Sequence, residues 1–325
     1  MDALSRRGFL SAAVTGTAGA LVARAQASRG PAPGGPGAAR SGFHGTLCLF
    51  SKLLPDLPAA ELGRAVATLG FGGVDLTVRP GGHVAPERAA LDLPPFLAAV
   101  REQGLEVPMI TTGLLSAADP TARPILETAG RHHVPFFKPG YYRYAFVDVR
   151  KELESASADL RGLAALAAEC GMQLGYHNHA GYLGGPVWDV ARIIETLDPR
   201  WVGYYFDVRH AVVEGGDGGW RAVLNLIAPR LKMVAVKDFF WEKGPKGWEQ
   251  RNCPLGEGMV DWKEFFNALA RGGFGGPVSL HVEYDIPGPA RVKVENSLAA
   301  AARDLAFLKA GLARAFAGRG EAPRG

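Results

Sequence analysis

Four of the eight histidines stand in short polar clusters, each closing an apolar run. "MQLGYHNHAG" ends in His177, Asn178 and His179, and "WVGYYFDVRH" ends in Asp207 and His210. "LKMVAVKD" brings Lys237 and Asp238, and "PVSLHVEY" brings His281 and Glu283. Imidazoles and carboxylates hold divalent metals and move protons, and an ammonium beside them can face a developing negative charge. Each group also has a plain structural use. The histidines could be hydrogen-bonded core residues, Asp207 a helix cap, Glu283 the partner of an arginine, and Lys237 a salt-bridge cation.

Such residues react together only if the fold gathers them. Short apolar runs at 45–50, 72–78, 105–112, 134–139, 172–178, 201–207, 231–238 and 277–284 read as strands. Amphipathic helical stretches alternate with them. Three of these, ending at Gly70, Gly104 and Gly171, place a glycine where a left-handed cap needs no β-carbon. Eight strand–helix units with strands apolar on both faces predict a single (β/α)8 TIM barrel, an α/β fold. An open doubly wound sheet would want a Gly-rich phosphate loop, and neither GxGxxG nor GxxxxGK occurs.

In such a barrel the reacting groups come from the C-terminal ends of strands. That rule selects Arg79, Lys138, His177, Asn178, His179, Asp207, His210, Lys237 and Glu283. Alternation sends His177 and His179 to one side with Asn178 opposite, and pairs His281 with Glu283. One member of each pair is expected at the centre. Glu257 in "CPLGEGMVDW", flanked by Gly256 and Gly258, and the nearby Trp241 add candidate substrate contacts. Asp261 is a natural cap for the helix that follows.

The net charge of +4 lies wholly in residues 1–41, which hold five arginines and Asp2; the remainder balances 31 bases against 31 acids. Nucleic-acid binding driven by a basic surplus is therefore not expected. Cys48, Cys170 and Cys253 are far apart and suggest neither a zinc knuckle nor a disulfide framework. Residues 1–27, with Arg6-Arg7, a modest apolar run and Ala25-Gln26-Ala27, read as a cleaved twin-arginine signal. The expected address is periplasmic or extracellular, with no membrane attachment after cleavage. A Pro/Gly-rich linker over 28–42, a barrel over 43–316 and a disordered tail over 317–325 complete the expected organisation. A homo-oligomer is left open.

From about residue 44 to 312 the chain resembles the xylose isomerase-like TIM barrels, often labelled sugar phosphate isomerases/epimerases. "GVDLTVRPGGHV", "GYHNHAG", "FDVRHAVVEGG", "VAVKDFFW", "CPLGEGMVDWKEFF" and "SLHVEYD" carry the resemblance. It implies a divalent metal (Mn, Mg, Co or Zn), with Asp207 and Glu283 matching two of the family's ligands and His210 a substrate-touching histidine. His177 stands in place of the strand-five glutamate, and Ala235 in place of the strand-seven histidine. The expected metal set is His177, Asp207 and Glu283.

The expected function is a metal-dependent isomerase or epimerase that takes a proton next to the carbonyl of a non-phosphorylated sugar or keto-sugar. Glu283 or His177 would be the base, the metal or Lys237 the electrophile, and His210 the acid. His179, Asn178, Arg79, Lys138, Glu257 and Trp241 would bind the small-molecule carbohydrate. The alternatives are a lyase or dehydratase on a keto-sugar or keto-inositol, and a non-catalytic carbohydrate-binding barrel. A metal nuclease of the same superfamily is disfavoured by the neutral mature charge.

Overall fold

The computed structural model describes residues 42–289 and 292–317. The expected export signal, the linker up to residue 41 and the tail from residue 318 lie outside the described residues. Seven strands run in chain order: β1 (Leu47–Phe50), β2 (Gly73–Val78), β3 (Glu106–Thr112), β4 (Phe136–Lys138), β5 (Gln173–His177), β6 (Val202–Asp207) and β7 (Leu231–Val236). An antiparallel hairpin, β8 (Asp238–Gly244) and β9 (Gly247–Cys253), lies outside this sheet. β10 (Val278–Leu280) then pairs in parallel with both β7 and β1 and closes an eight-stranded barrel. Eight helices accompany the strands: α1 (Ala59–Leu69), α2 (Ala89–Arg101), α3 (Ala122–Arg131), α4 (Val149–Glu169), α5 (Trp188–Ile194), α6 (Val208–Ile227), α7 (Trp262–Gly272) and α8 (Lys293–Ala317).

The apolar runs form strands because both their faces are covered. Leu76, Val78, Phe137, Leu174, Phe206, Val234 and Val236 pack outward into the layer shared with the helices. Met109, Tyr205, Met233 and Ala235 form a separate cluster inside the barrel. A β-carbon on Gly175 would meet the Met233 methyl at 2.0 Å, so the bare glycine leaves the space that the Met233 side chain occupies inside the barrel. Gly70, Gly104 and Gly171 all take positive φ, as the helix-ending pattern predicts.

The ladders are shorter than the apolar runs. β4 holds three residues between Pro135 and Pro139, which cannot donate to a ladder. β10 stops at Leu280, so His281 and Glu283 lie just past it at the rim. β7 stops at Val236 and leaves Lys237 at the junction where the chain turns into the hairpin. The sequence reading placed no strand over 239–253, because its apolar residues cluster at Phe239, Phe240 and Trp241 and most of the rest is polar. Registers His177↔Tyr205 and Asp207↔Ala235 bring the ends of β5, β6 and β7 to one rim.

Candidate active site

Residues two apart on a barrel strand point to the same side. Tyr205 points inward, so Asp207 does as well, and the same parity brings in Lys237 after Ala235. The expectation that one member of each same-side pair would reach the centre is not met. His177 with His179, and His281 with Glu283, line the same narrow cavity. Strands are tilted in a barrel, so i and i+2 occupy successive layers rather than competing for one place.

Beneath the cavity lies a hydrogen-bonded carboxylate. Asp75, fully buried, accepts hydrogen bonds from Thr111 Oγ1 (2.7 Å), Ser279 Oγ (2.8 Å) and the Tyr205 hydroxyl (3.0 Å). Since the Tyr205 proton is directed to Asp75, His281 Nε2, 3.1 Å away, donates to the Tyr205 oxygen. The His281 ring stacks on Phe50, with centroids 4.2 Å apart.

Above the floor, the Lys237 ammonium sits between two carboxylates, 2.8 Å from Glu283 Oε2 and 3.3 Å from Asp207 Oδ2. Lys52 holds the other Glu283 oxygen at 2.7 Å. Burial disfavours all three central charges, but their attraction outweighs it. Lys237 is raised above the usual lysine range, and Asp207 and Glu283 are held well below the carboxylate range.

Asp207 also caps α6, accepting from the His210 backbone N–H at 3.2 Å. Its Oδ2 has no hydrogen-bond partner, and neither have His177 Nε2 and His210 Nε2, although all three are buried. The two ring nitrogens stand 3.4 and 3.7 Å from Oδ2. Arg209 Nη1 lies 3.1 Å from His210 Nδ1. A guanidinium can only donate, so Nδ1 accepts and the His210 proton sits on Nε2, facing Asp207. Asp207 Oδ2, which can only accept, faces His177 Nε2 and favours the proton there as well, which leaves Nδ1 to accept from the Tyr141 hydroxyl at 2.8 Å. Burial holds both rings neutral, with His177 lowered to about 3 despite Asp207 and His210 lowered well below its usual value. Burial, with Lys237 nearby, lowers His179 to about 4.

Of the residues singled out in the sequence, His177, His179, Lys237, Glu283, Arg79 and Lys138 line the cavity. Asp207 and His210 stand directly behind. Three others do not line it. Asn178 straps β5 to β6, donating to the Asp207 carbonyl (2.9 Å) and accepting from the Asp207 N–H (2.8 Å). Glu257 is solvent-exposed, 3.6 Å from Arg303. Trp241 lies on the hairpin, 38% exposed, against Phe239. Tyr141, Lys52, Phe50, Tyr205 and Thr111 also line the cavity without having been selected. Tyr205 could have been found two residues before Asp207 by parity, and Tyr141 by its place after strand four.

A larger groove of about 530 Å³ runs beside α6 and α7. Its charged residues are paired: Arg221 with Asp217 and Asp261, and Arg271 with Glu264. It holds none of the histidines and no counterpart of the Asp207–Lys237–Glu283 cluster.

A model of the xylose isomerase-like TIM barrel matches residues 64–311. The chain belongs to the xylose isomerase-like TIM barrel family. Among curated proteins, it is 32% identical over 137 residues to the inosose dehydratase of Geobacillus thermodenitrificans, covering 39% of this chain and 45% of that protein. It is 27% identical over 145 residues to the inosose dehydratase of Lacticaseibacillus casei, covering 41% and 48%. The chain thus spans about half the length of these relatives.

Solved structures with the same fold include an L-ribulose 3-epimerase (TM-score 0.65, 17% identity, 86% of this chain and 99% of that one). A 3-keto-D-glucoside 4-epimerase from E. coli gives TM-score 0.62 and 17% identity over 82% and 99%. A Mycobacterium smegmatis family member in complex with magnesium gives 0.63 and 18% over 83% and 97%.

The family thus raises the question of a divalent metal in this barrel. The residues expected to hold it are together, but they do not fit the ion. The ammonium of Lys237 stands between Asp207 and Glu283, and the His210 Nε2 lone pair is taken by a proton. Among the described residues, no three His, Cys, Asp or Glu side chains are placed to hold a metal ion.

Proposed function

We propose that this family member is an enzyme that removes the proton next to the carbonyl of a keto-sugar or keto-inositol. The observation that carries the reading is the Lys237 ammonium in contact with the Glu283 carboxylate, both on the wall of one small cavity. A fixed ammonium on the cavity wall is what an enolate oxygen needs, and a cation already in place costs little reorganisation during reaction. Glu283 reaches the cavity wall and is the base. A carboxylate held this low takes a proton efficiently only if the new negative charge is met in the same step. Lys237, in contact with it, meets that charge.

Return of the proton to the other face, or to the neighbouring carbon, gives epimerisation or isomerisation. Loss of a β-hydroxyl gives dehydration, a second reading favoured by the inosose dehydratase relatives. The Lys52 ammonium, at the rim beside Glu283, can protonate that hydroxyl as it leaves. The export signal read at residues 1–27 adds that the enzyme works outside the cytoplasm.

Exchange of substrate α-hydrogen for deuterium from D₂O tests the core step, using inosose and a 3-keto-glucoside. Exchange should occur with at least one of them and drop about 10²-fold or more in Lys237→Met and Glu283→Gln. Saturable binding without exchange would make the protein a carbohydrate-binding barrel instead.

A further inference from the structure

The cavity wall carries four cations, drawn from four different strand ends: Lys52, Arg79, Lys138 and Lys237. Two of them are spoken for. Lys52 and Lys237 take one oxygen each of Glu283. The other two have no oxygen partner among the described residues. The Arg79 guanidinium lies over the Phe50 ring, 5.6 Å from its centroid. The Lys138 ammonium lies over the Tyr141 ring at 3.3 Å. Lys138 is 2% exposed, and its ammonium makes no hydrogen bond or ion pair with the described residues. Asp75 attracts it but makes no ion pair with it, its oxygens accepting instead from three hydroxyl groups.

A buried cation without a counter-ion is costly, and an aromatic face offsets only part of that cost. Two such cations in one small cavity raise the cost further, since each repels the other. We infer that the substrate carries its own negative charge, a carboxylate that Arg79 and Lys138 bind together. The substrate class is then a keto-sugar acid, such as an oxidised uronic or aldonic acid, in place of a neutral sugar. A guanidinium presents a planar fork that matches a carboxylate, and the ammonium closes the third side as a point charge.

The arrangement also divides the cavity by task. Arg79 and Lys138, from β2 and β4, hold the acid. The cluster from β5, β6, β7 and the segment after β10 faces the carbonyl. An acid group so placed binds equally before and during reaction, and therefore sets specificity more than rate. Lys138 has further support from its electrostatics. Burial first, then Arg79 and Lys237, pull it well below the usual lysine range, with Asp75 opposing. A bound carboxylate opposes that push and favours the charged ammonium.

The inference rests on the proposed function for its keto-sugar chemistry, but binding alone tests it. Glucuronate, glucose and glucose 6-phosphate are titrated into the intact protein by calorimetry. Glucuronate should bind at least 10-fold tighter than glucose. Arg79→Gln and Lys138→Gln should each remove that preference, and either variant suffices if the other fails to fold. Equal binding of glucose and glucuronate, or a preference untouched by both substitutions, would overturn the assignment. So would tighter binding of the phosphate than of the carboxylate. Deuterium exchange on a neutral keto-sugar without glucuronate binding would leave the proposed function standing and remove only this inference.

Discussion

At the scale of single residues, protonation state decides what the site can do. His177 and His179 are kept neutral by burial, at about 3 and about 4, against an ordinary 6.5. A histidine that refuses a proton when folded and accepts one when unfolded weakens the fold as pH falls below 6.5. Asp207 and Glu283 act in a lower window, since their stabilisation is present above the ordinary carboxylate range and is lost only towards their depressed values. The loss of melting temperature between pH 6.5 and 4.5 therefore belongs to the imidazoles. It should be shallower in His177→Asn than in the native chain. A melting temperature that stays flat from pH 7.5 to 5 in the native protein would contradict the buried neutral rings.

At the scale of elements, one carboxylate organises the loop between the hairpin and α7. Asp238 begins β8 and accepts from the N–H groups of Gly256 (3.0 Å), Gly258 (3.1 Å) and Val260 (3.3 Å), and from Trp262 Nε1 (2.7 Å). The loop wraps so closely that a β-carbon on Gly258 would stand 2.2 Å from Asp238 Oδ1. Asp261 then caps α7 by accepting from the Glu264 N–H, as its position in the sequence predicts. Replacing Asp238 by alanine strands several buried donors at once and should cost about 3 kcal/mol or more. Hydrogen exchange should speed up at the amides of Gly256, Gly258 and Val260, while the barrel strands stay protected. A shift in melting temperature below about 2 °C would show that the loop is held by other contacts. Glu257, at the tip of this loop, faces solvent and not the cavity, because the backbone, not the side chain, is what Asp238 grips.

At the scale of the whole molecule, barrel closure turns distant sequence positions into one charge cluster, and that cluster determines the cation. With Lys237 between Asp207 and Glu283, Mn²⁺ or EDTA should leave the melting temperature unchanged. A ligand that binds only the folded state raises it by mass action. Stoichiometric metal with a raised melting temperature would show that Lys237 swings out of its clamp.

The eight-unit barrel was legible in the sequence because alternating apolar runs and amphipathic helices report local burial directly. So was the rim, since strand ends in a closed parallel barrel share one face. The hairpin at 238–253 was not legible, because its strands are mostly exposed and its apolar residues, clustered at Phe239, Phe240 and Trp241, do not alternate with polar ones. Nor could the sequence say that Asn178 straps two strands, that His281 joins Glu283 at the cavity, or that Arg79 and Lys138 lack partners. Spacing along a chain sets which side of a strand a residue occupies. Only closure of the barrel sets which ammonium meets which carboxylate, and a contact of about 3 Å between strands far apart in sequence depends on the register and tilt of all eight.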